Sequence, residues 1–345
     1  MVTEIAPVTF RYSHTIGRQE VRSGNGFNHP VAIAHDKDGQ LYVLSRSTET
    51  RAFDPGKRVT VFTVDEEFVR DFGRKVSPED ATREATPDGC FMWPTSVALD
   101  SQSNVYVSDE WLNRISIFTK EGDWIGKWGT PGDRDGEINR PSSMAFDEND
   151  NLYIVDSLNH RVQVLTKEGK FLSKWGQKGS GEGEFDHPWG ITIDHNGDVF
   201  VADWRNDRIQ KFGPDGTFLM AFGSSGQGDG EFNRPTGVAV DRDGIIYVAD
   251  FKNERVQIFD TNGHFVTKLT GEATLSKWGK ERVDLDPLAP IGREIAQNLR
   301  EREKVFQGPI ALTVDDQNRL FVAEVARHRV QVFRKQSGIF QGGLL

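Results

Sequence analysis

A spacing pattern built on proline recurs six times along this chain and constrains its fold more than any other feature. In each copy an aspartate follows the proline after six residues, and a polar or acidic residue follows it after fifteen. The prolines are Pro30, Pro94, Pro141, Pro188, Pro235 and Pro309, and the residues at the third position are Ser45, Asp109, Asp156, Asp203, Asp250 and Glu324. Whatever recurs in every copy serves the fold, and whatever interrupts the pattern is a candidate for function.

The fifth copy shows what one repeat folds into. Thr236–Val240 and Ile245–Ala249 are apolar runs, and two further runs, Val256–Phe259 and Phe265–Leu269, follow after short polar turns. Four short strands per repeat, with prolines 47 residues apart in copies two to five, are typical of a β-propeller blade. The first two runs are apolar almost throughout rather than alternating, so both faces must be buried between neighbouring blades. The chain is therefore predicted to be an all-β, six-bladed propeller in one domain, residues 1–345.

The two ends of the chain predict how the ring closes. The sixth copy nearly ends after its third strand at Phe333, whereas Val8 to Ile16 resemble an isolated fourth strand. We expect the N-terminal strand to complete the last blade, because closure removes exposed sheet edges.

Three insertions interrupt the repeat, at residues 45–57, 74–91 and 271–305. In a blade of this strand order all three emerge on one face, called the insertion face below. Within the last insertion, Ile291, Ile295 and Leu299 recur at four-residue spacing among charged residues, which predicts a short amphipathic helix between blades 5 and 6. Such a helix either covers the ring as a lid over 289–305 or packs on the side of those blades.

Several recurring side chains are predicted to serve the scaffold. A carboxylate ahead of a turn accepts backbone N–H groups in that turn, and an arginine five residues later is placed to pair with it. These arginines are Arg114, Arg161, Arg208, Arg255 and Arg329. Aromatic residues that recur in the fourth strand are predicted to be core: Trp128, Trp175, Phe222, Trp124, Phe171, Phe218 and Phe265.

The sequences of the copies resemble those of the NHL-repeat family. The residues that carry the resemblance are Phe232–Asp241, Tyr247–Asp250 and Asn253–Gln257, and it extends over about residues 8–340. It implies a six-bladed propeller. It implies no single function, because the family includes enzymes, RNA-binding modules and protein scaffolds.

The chain also distantly resembles propellers of the peptidyl-hydroxyglycine amidating lyase type, a family with a catalytic zinc site. In that family the zinc histidines directly follow the blade prolines, whereas this chain has Val31, Thr95, Ser142, Trp189, Thr236 and Ile310 there. Trp111 stands at the comparable place of the lyase tyrosine. Since catalytic zinc needs three protein ligands, that site is not expected here. The sequence identifies no cofactor; a divalent metal ion at the channel mouth is a candidate.

Aromatic and basic residues gather at repeat positions that belong to the insertion face. The predicted ligand-binding residues are Arg46, Trp111, Trp189, Trp204, Arg205 and Lys252. Arg46 or Arg205 would pair with the anionic group of a small organic ligand. Trp278, in the largest insertion, is expected to belong to the same set. Glu110 and His187 are the candidate acid and base of a lyase or hydrolase. A protein- or peptide-binding scaffold is the alternative.

The acidic composition narrows the partners. A net charge of −10 and a pI near 5.4 argue against electrostatic attraction of the whole molecule to a phosphate backbone. The start of the sequence lacks the features of a signal peptide, and no apolar run approaches a membrane span of about 18 residues. The single Cys90 cannot form an internal disulfide. We therefore expect a cytoplasmic monomer without membrane contact.

Overall fold

Six four-stranded antiparallel sheets form the blades of a propeller in the computed structural model, which describes residues 8–21, 24–47, 56–73, 76, 80, 82–285 and 303–336. The inner strand of each blade packs against the inner strands of both neighbours, and together the six surround one channel. The predicted all-β, six-bladed fold is confirmed. Within the described residues, no helix is long and apolar enough to cross a membrane.

The strands are numbered in chain order, and each blade runs from its inner to its outer strand. Blade 1 contains β2 (Pro30–His35), β3 (Gln40–Ser45), β4 (Arg58–Thr63) and β5 (Phe68–Phe72); blade 2 contains β6 (Pro94–Leu99), β7 (Val105–Asp109), β8 (Arg114–Phe118) and β9 (Trp124–Trp128); blade 3 contains β12 (Pro141–Phe146), β13 (Asn151–Asp156), β14 (Arg161–Thr166) and β15 (Phe171–Trp175).

The other three blades follow the same order, and the last takes its outer strand from the N-terminus. Blade 4 contains β16 (Ile191–Ile193), β17 (Val199–Asp203), β18 (Arg208–Phe212) and β19 (Phe218–Phe222); blade 5 contains β22 (Pro235–Val240), β23 (Ile246–Asp250), β24 (Arg255–Phe259) and β25 (Phe265–Leu269); blade 6 contains β26 (Pro309–Val314), β27 (Arg319–Glu324), β28 (Arg329–Gln336) and β1 (Thr9–Ile16). Short parallel pairs, β10 (Thr130–Pro131) with β11 (Glu137–Ile138) and β20 (Ser224–Ser225) with β21 (Glu231–Phe232), lie between blades.

The N-terminal strand closes the ring as predicted. β1 pairs antiparallel with β28, with Ile16 opposite Val330 and Thr9 opposite Gln336. Its side chains also reach the neighbouring blade, since Phe10 lies edge-on to Tyr247 at 5.7 Å between ring centroids. β1 therefore covers the edge of β28 with main-chain hydrogen bonds.

The repeated carboxylates organise turns and connections between blades. Asp156, for example, accepts an N–H from Asn139 at 2.6 Å and pairs with Arg161 at 2.8 Å. Asp203, Asp250 and Glu324 pair with Arg208, Arg255 and Arg329 in the same way, at 2.9, 2.7 and 2.6 Å. Since the pattern recurs in four blades, it belongs to the scaffold.

Blade 2 departs from the expected acid–arginine pairing. Asp109 accepts four backbone N–H groups, from Met92, Trp93, Trp111 and Leu112. Arg114 instead donates to the carbonyl of Cys90 at 2.7 Å, in the connection from blade 1. The predicted tie between Asp109 and Arg114 is wrong, because backbone N–H groups on either side of the blade-2 strands occupy Asp109 and the insertion supplies a carbonyl for Arg114.

The registers place all three insertions on one face. In each blade except blade 4 the proline that opens the inner strand pairs with the last residue of the second strand, as Pro94 does with Asp109. The inner strand therefore begins, and the second strand ends, at the same face. The connections β3–β4, β5–β6 and β25–β26 all leave from it.

Blades 2 to 5 stack on their neighbours through a glycine in the turn before the outer strand. Gly169, with a φ of +87°, lies so close to Trp128 of the preceding blade that an added Cβ would come within 2.6 Å of the indole. Gly122, Gly216 and Gly263 meet Phe72, Trp175 and Phe222 in the same way. Trp128, Trp175 and Phe222 are thus packed as predicted, whereas Trp124 is 41% exposed and is not core.

The junction of blades 6 and 1 uses a different device. β1 ends in Ile16 rather than an aromatic residue, and Glu66 (φ +63°) stands where blades 2 to 5 have glycine. The helix α1 (Lys277–Asp284) fills the gap with Trp278, which is 1% exposed and packs against Phe27 and Phe62.

Glu66 fastens this helix to the propeller. Its carboxylate accepts the N–H of Lys277 at 2.6 Å and that of Gly17 at 2.9 Å. Trp278 is therefore a closure residue, and the expectation that it belongs to an exposed binding set is wrong. A helical insertion between blades 5 and 6 is confirmed, but the specific segment predicted, Ile291 to Leu299, lies outside the described residues.

Candidate functional site

The central channel is narrow and polar at its walls. Its cavity is about 80 Å³ and is lined by the residues that follow the six prolines, among them Thr95, Ser142 and Thr236. Hydroxyls of these residues link blades: Ser142 Oγ donates to the Trp189 carbonyl at 2.8 Å. Thr236 Oγ1 is buried and has no hydrogen-bond partner among the described residues. Trp189 lines the channel where the other blades have smaller side chains.

A first aromatic and charged cluster lies over blade 2 on the insertion face. Trp93 and Trp111 are in contact, with 4.9 Å between ring centroids. Arg46 of blade 1 lies over Trp93 at 5.7 Å and pairs with Glu110 at 2.5 Å, both side chains being about one-tenth exposed. Arg83, from the second insertion, lies over Trp111 at 5.9 Å. This blade-2 cluster therefore joins two insertions to the body and neutralises the Arg46 charge internally.

A second cluster lies over blade 4 and is built differently. Trp204 has the guanidinium of Arg234 over its ring at 4.7 Å and that of Arg205 at 5.8 Å. Trp189 lies 6.3 Å from Trp204 between ring centroids, with the planes inclined by 38°. The blade-4 cluster thus connects the channel lining to two arginines.

The arginines of the blade-4 cluster have no carboxylate within ion-pairing distance among the described residues, nor do Arg140 and Lys252 nearby on the same face. Arg140 lies over Trp93 at 5.9 Å and Lys252 over Phe251 at 5.1 Å. Arg140, Arg205 and Lys252 are exposed. These four cations therefore lie on one face without an ion pair among the described residues, in a chain whose net charge is −10.

A group of histidines lies beside the blade-4 cluster. His187 Nδ1 is 2.5 Å from Asp186 Oδ1, and the His187 backbone N–H donates to His160 Nδ1 at 3.1 Å. The two imidazoles meet edge-on with 4.7 Å between centroids. The pKa of His160 is lowered, chiefly by burial and to a smaller extent by the neighbouring His187. Burial opposes ionisation of Asp186, but its hydrogen bond with His187 and nearby positive charge hold the pKa of Asp186 below its usual value.

The structure divides the predicted site residues into three groups. Arg46, Glu110 and Trp111 belong to the blade-2 cluster, where Arg46 and Glu110 pair with each other. Trp189, Trp204 and Arg205 form the blade-4 cluster, with His187 two residues from Trp189 along the chain. Lys252 lies on blade 5 against its own neighbour Phe251. Glu110 and His187, predicted to act as an acid–base pair, are held by separate partners in different blades.

Three residues near the blade-4 cluster are not among the site residues predicted from the sequence: Arg234, His160 and Asp186. A signal for His160 exists in the repeat: it occupies the turn position of Asn113 and Asp207, whose side chains also accept an N–H from the next blade. A histidine at that position lies 27 residues before another histidine, His187, and the repeat brings the two together.

Comparison with known proteins bears on the fold. The NHL-repeat family model matches residues 139–165, 185–212, 232–259 and 306–333. This protein is an NHL-repeat β-propeller. The remaining blades have the same four-stranded architecture without a match to the model. A comparison with curated protein sequences finds no match.

Several solved structures share the NHL propeller's architecture at low sequence identity. A protein of unknown function from Bacteroides thetaiotaomicron has a TM-score of 0.63 and 18% identity, over 95% of this chain and 76% of that one. An auxiliary nutrient binding protein from the same organism has a TM-score of 0.63 and 9% identity, over 95% and 77%. Virginiamycin B lyase from Staphylococcus aureus has a TM-score of 0.56 and 11% identity, over 94% and 99%. At such identities the likeness concerns the fold alone.

Proposed function

We propose that this NHL propeller binds a small organic anion at the mouth of its channel, on the insertion face above blades 4 and 5. The observation that carries the proposal is Trp204 with Arg205 and Arg234 over its ring and no carboxylate paired with either arginine among the described residues. The repeat provides the contrast, because Arg208 and Arg255 in the same blades are paired with Asp203 and Asp250.

The chemistry of the cluster suits a flat anion. A guanidinium presents a planar fork of donors that matches a carboxylate, and stacking on an indole holds that fork in place before the ligand arrives. Trp189 and Trp204 supply an apolar surface next to the charges. A ligand with an aromatic or aliphatic body and a carboxylate would therefore satisfy both parts of the cluster.

The size of the channel sets where the ligand lies. Pockets that enclose small molecules are usually about 300–1,000 Å³. The channel cavity is about 80 Å³, so the ligand rests across the mouth rather than inside the ring. The same open arrangement would also accept an acidic side chain of a peptide, which makes a peptide-binding scaffold an outcome that the experiment must separate.

Catalysis, as a lyase or hydrolase, is the second candidate, and Asp186 with His187 is the observation that favours it. A carboxylate that holds an imidazole through Nδ1 leaves Nε2 to take or give a proton. His187 stands two residues before Trp189, beside the proposed anion site. Glu110 is less suited as its partner, because Arg46 already pairs with it.

Calorimetric titration with matched ligands tests the binding proposal. Benzoate and phenylacetate are compared with the neutral benzamide, and with an acidic and a neutral peptide of equal length. We expect the carboxylates to bind in preference to benzamide, with affinity that weakens as salt rises. If the acidic peptide bound and the small carboxylates did not, the site would bind a peptide rather than a small organic anion. Equal, weak responses to charged and neutral ligands would contradict the proposal.

A further inference from the structure

Three side chains that commonly ligate metals meet between blades 3 and 4. One potential ligand atom from each of His160, Asp186 and His187 lies within 4.8 Å of the other two. In the described part of the chain, this is the one group of three His, Cys, Asp or Glu side chains that meet so closely. The side chains are 12%, 29% and 22% exposed, so an ion can reach them from solvent.

Part of this arrangement belongs to the fold. The turn residue before the third strand accepts an N–H from the residue before the next proline, and Asn113 and Asp207 do so with Arg140 and Arg234. That role requires an acceptor at the position of His160, but it requires neither a second histidine nor Asp186. The convergence of all three groups therefore goes beyond what the repeat needs.

A twin of this arrangement occurs between blades 6 and 1. The His29 N–H donates to His328 Nδ1 at 2.9 Å, and the two rings meet edge-on with 4.5 Å between centroids. The residue before His29 is Asn28, whose amide oxygen is 3.1 Å from His29 Nδ1. The twin thus has the two imidazoles but a neutral amide where the first arrangement has a carboxylate.

We propose that His160, Asp186 and His187 bind one divalent transition-metal ion of the zinc class. Two imidazole nitrogens and one carboxylate oxygen form a donor set that suits zinc and its neighbours, and leave coordination positions open for water or a ligand. Calcium and magnesium are not favoured, because they prefer an all-oxygen shell.

Binding the ion exchanges existing hydrogen bonds for metal bonds. The proton between His187 Nδ1 and Asp186 Oδ1 leaves to solvent, since both atoms must offer a lone pair to the metal. His160 Nδ1 gives up the N–H of His187, which lies at 3.1 Å. The twin lacks the carboxylate charge and is expected to bind far more weakly.

Zinc titration of the metal-free full chain, in competition with a chromophoric chelator, measures the stoichiometry and affinity. Cobalt provides an independent signal, because its visible spectrum reports nitrogen and oxygen ligation. We expect one ion per chain in the wild type. We expect Asp186→Asn to weaken binding at least about tenfold, since losing even an outer-shell partner of a ligand has an effect of that order.

His160→Asn separates the metal from the fold. Asparagine retains the acceptor that Asn113 provides in blade 2, so the variant is expected to fold and yet lose the ion. His328→Asn makes the same change in the twin and is expected to leave the stoichiometry and the cobalt spectrum unchanged. Absence of binding in the wild type would overturn the proposal. So would zinc binding that persists with the same affinity in both Asp186→Asn and His160→Asn.

Discussion

Replacing Trp278 with alanine tests how the ring of this NHL propeller is closed. The indole is 1% exposed and lies about 6 Å from the rings of Phe27 and Phe62, at the junction of blades 6 and 1 that α1 helps to pack. A buried tryptophan removes roughly 150–250 Å² from water, which at about 25 cal/mol per Å² corresponds to about 4–6 kcal/mol. Measured Trp→Ala losses of about 3–5 kcal/mol in protein cores agree with this range.

The expected result is a loss of about 3–5 kcal/mol in the free energy of unfolding, measured by urea denaturation followed by circular dichroism. Leu285→Ala is the matched control, because Leu285 directly follows α1 and is 85% exposed. Surface changes of this kind usually stay within about 0.5 kcal/mol. Both variants remove a large apolar side chain from the same insertion, so their difference isolates the buried contact.

Limited proteolysis distinguishes two ways in which Trp278 could contribute. If α1 is released while the propeller stays folded, cleavage near the helix increases and the loss of global stability is smaller. If closure and folding are one cooperative event, stability falls by the full amount. A loss below 1 kcal/mol without new cleavage would refute the assignment of Trp278 as a closure residue.

Three further predictions concern single positions in the scaffold. Burial raises the pKa of Glu66 above its usual value, so wild-type stability falls as pH rises through that pKa, and Glu66→Gln should remove this dependence in urea titrations at several pH values. Burial, followed by His29, lowers the pKa of His328 to about 4, so wild-type stability falls as pH decreases from about 6.5 towards 4; His328→Asn should flatten the curve there, and an unchanged curve would contradict this assignment. Gly190→Ala would place a Cβ 2.1 Å from the Thr236 carbonyl oxygen and should destabilise the chain by about 1–3 kcal/mol in thermal unfolding, whereas Gly230→Ala, with open space around it, should not clash although its positive φ adds strain of its own.

The scaffold could be predicted because the same pattern of residues occurs in all six copies of the repeat. Pro94, Asp100 and Asp109 recur with fixed spacing, and a turn aspartate acts within four residues of itself, as Asp100 does by accepting N–H groups of Gln102 and Asn104. The closing strand was predictable for the same reason, since five complete copies reveal what the sixth lacks. Blade number, strand order and insertion face all follow from these local regularities.

The site could be predicted only in part, because its contacts join residues from different copies of the repeat. Arg46 and Glu110 are 64 positions apart, and only the packing of blades 1 and 2 shows that they pair. Trp278 lies in an insertion that has no counterpart in the other copies, so the sequence offers no equivalent residue for comparison. It is buried because Ile16 and Glu66 leave a gap at the junction of blades 6 and 1. The basic and aromatic character of the face was visible in the sequence, whereas the pairing of each charge was not.

The affinity of Arg234→Ala for the tightest-binding carboxylate tests the central claim most directly. Arg242→Ala is the matched control, because Arg242 lies in a turn of the same blade on the opposite face and pairs with Asp316 there. If the anion binds against Trp204, loss of a charge-assisted hydrogen bond should weaken binding about tenfold or more in Arg234→Ala. The control should bind as the wild type does. Equal affinity in both variants and the wild type would contradict the account.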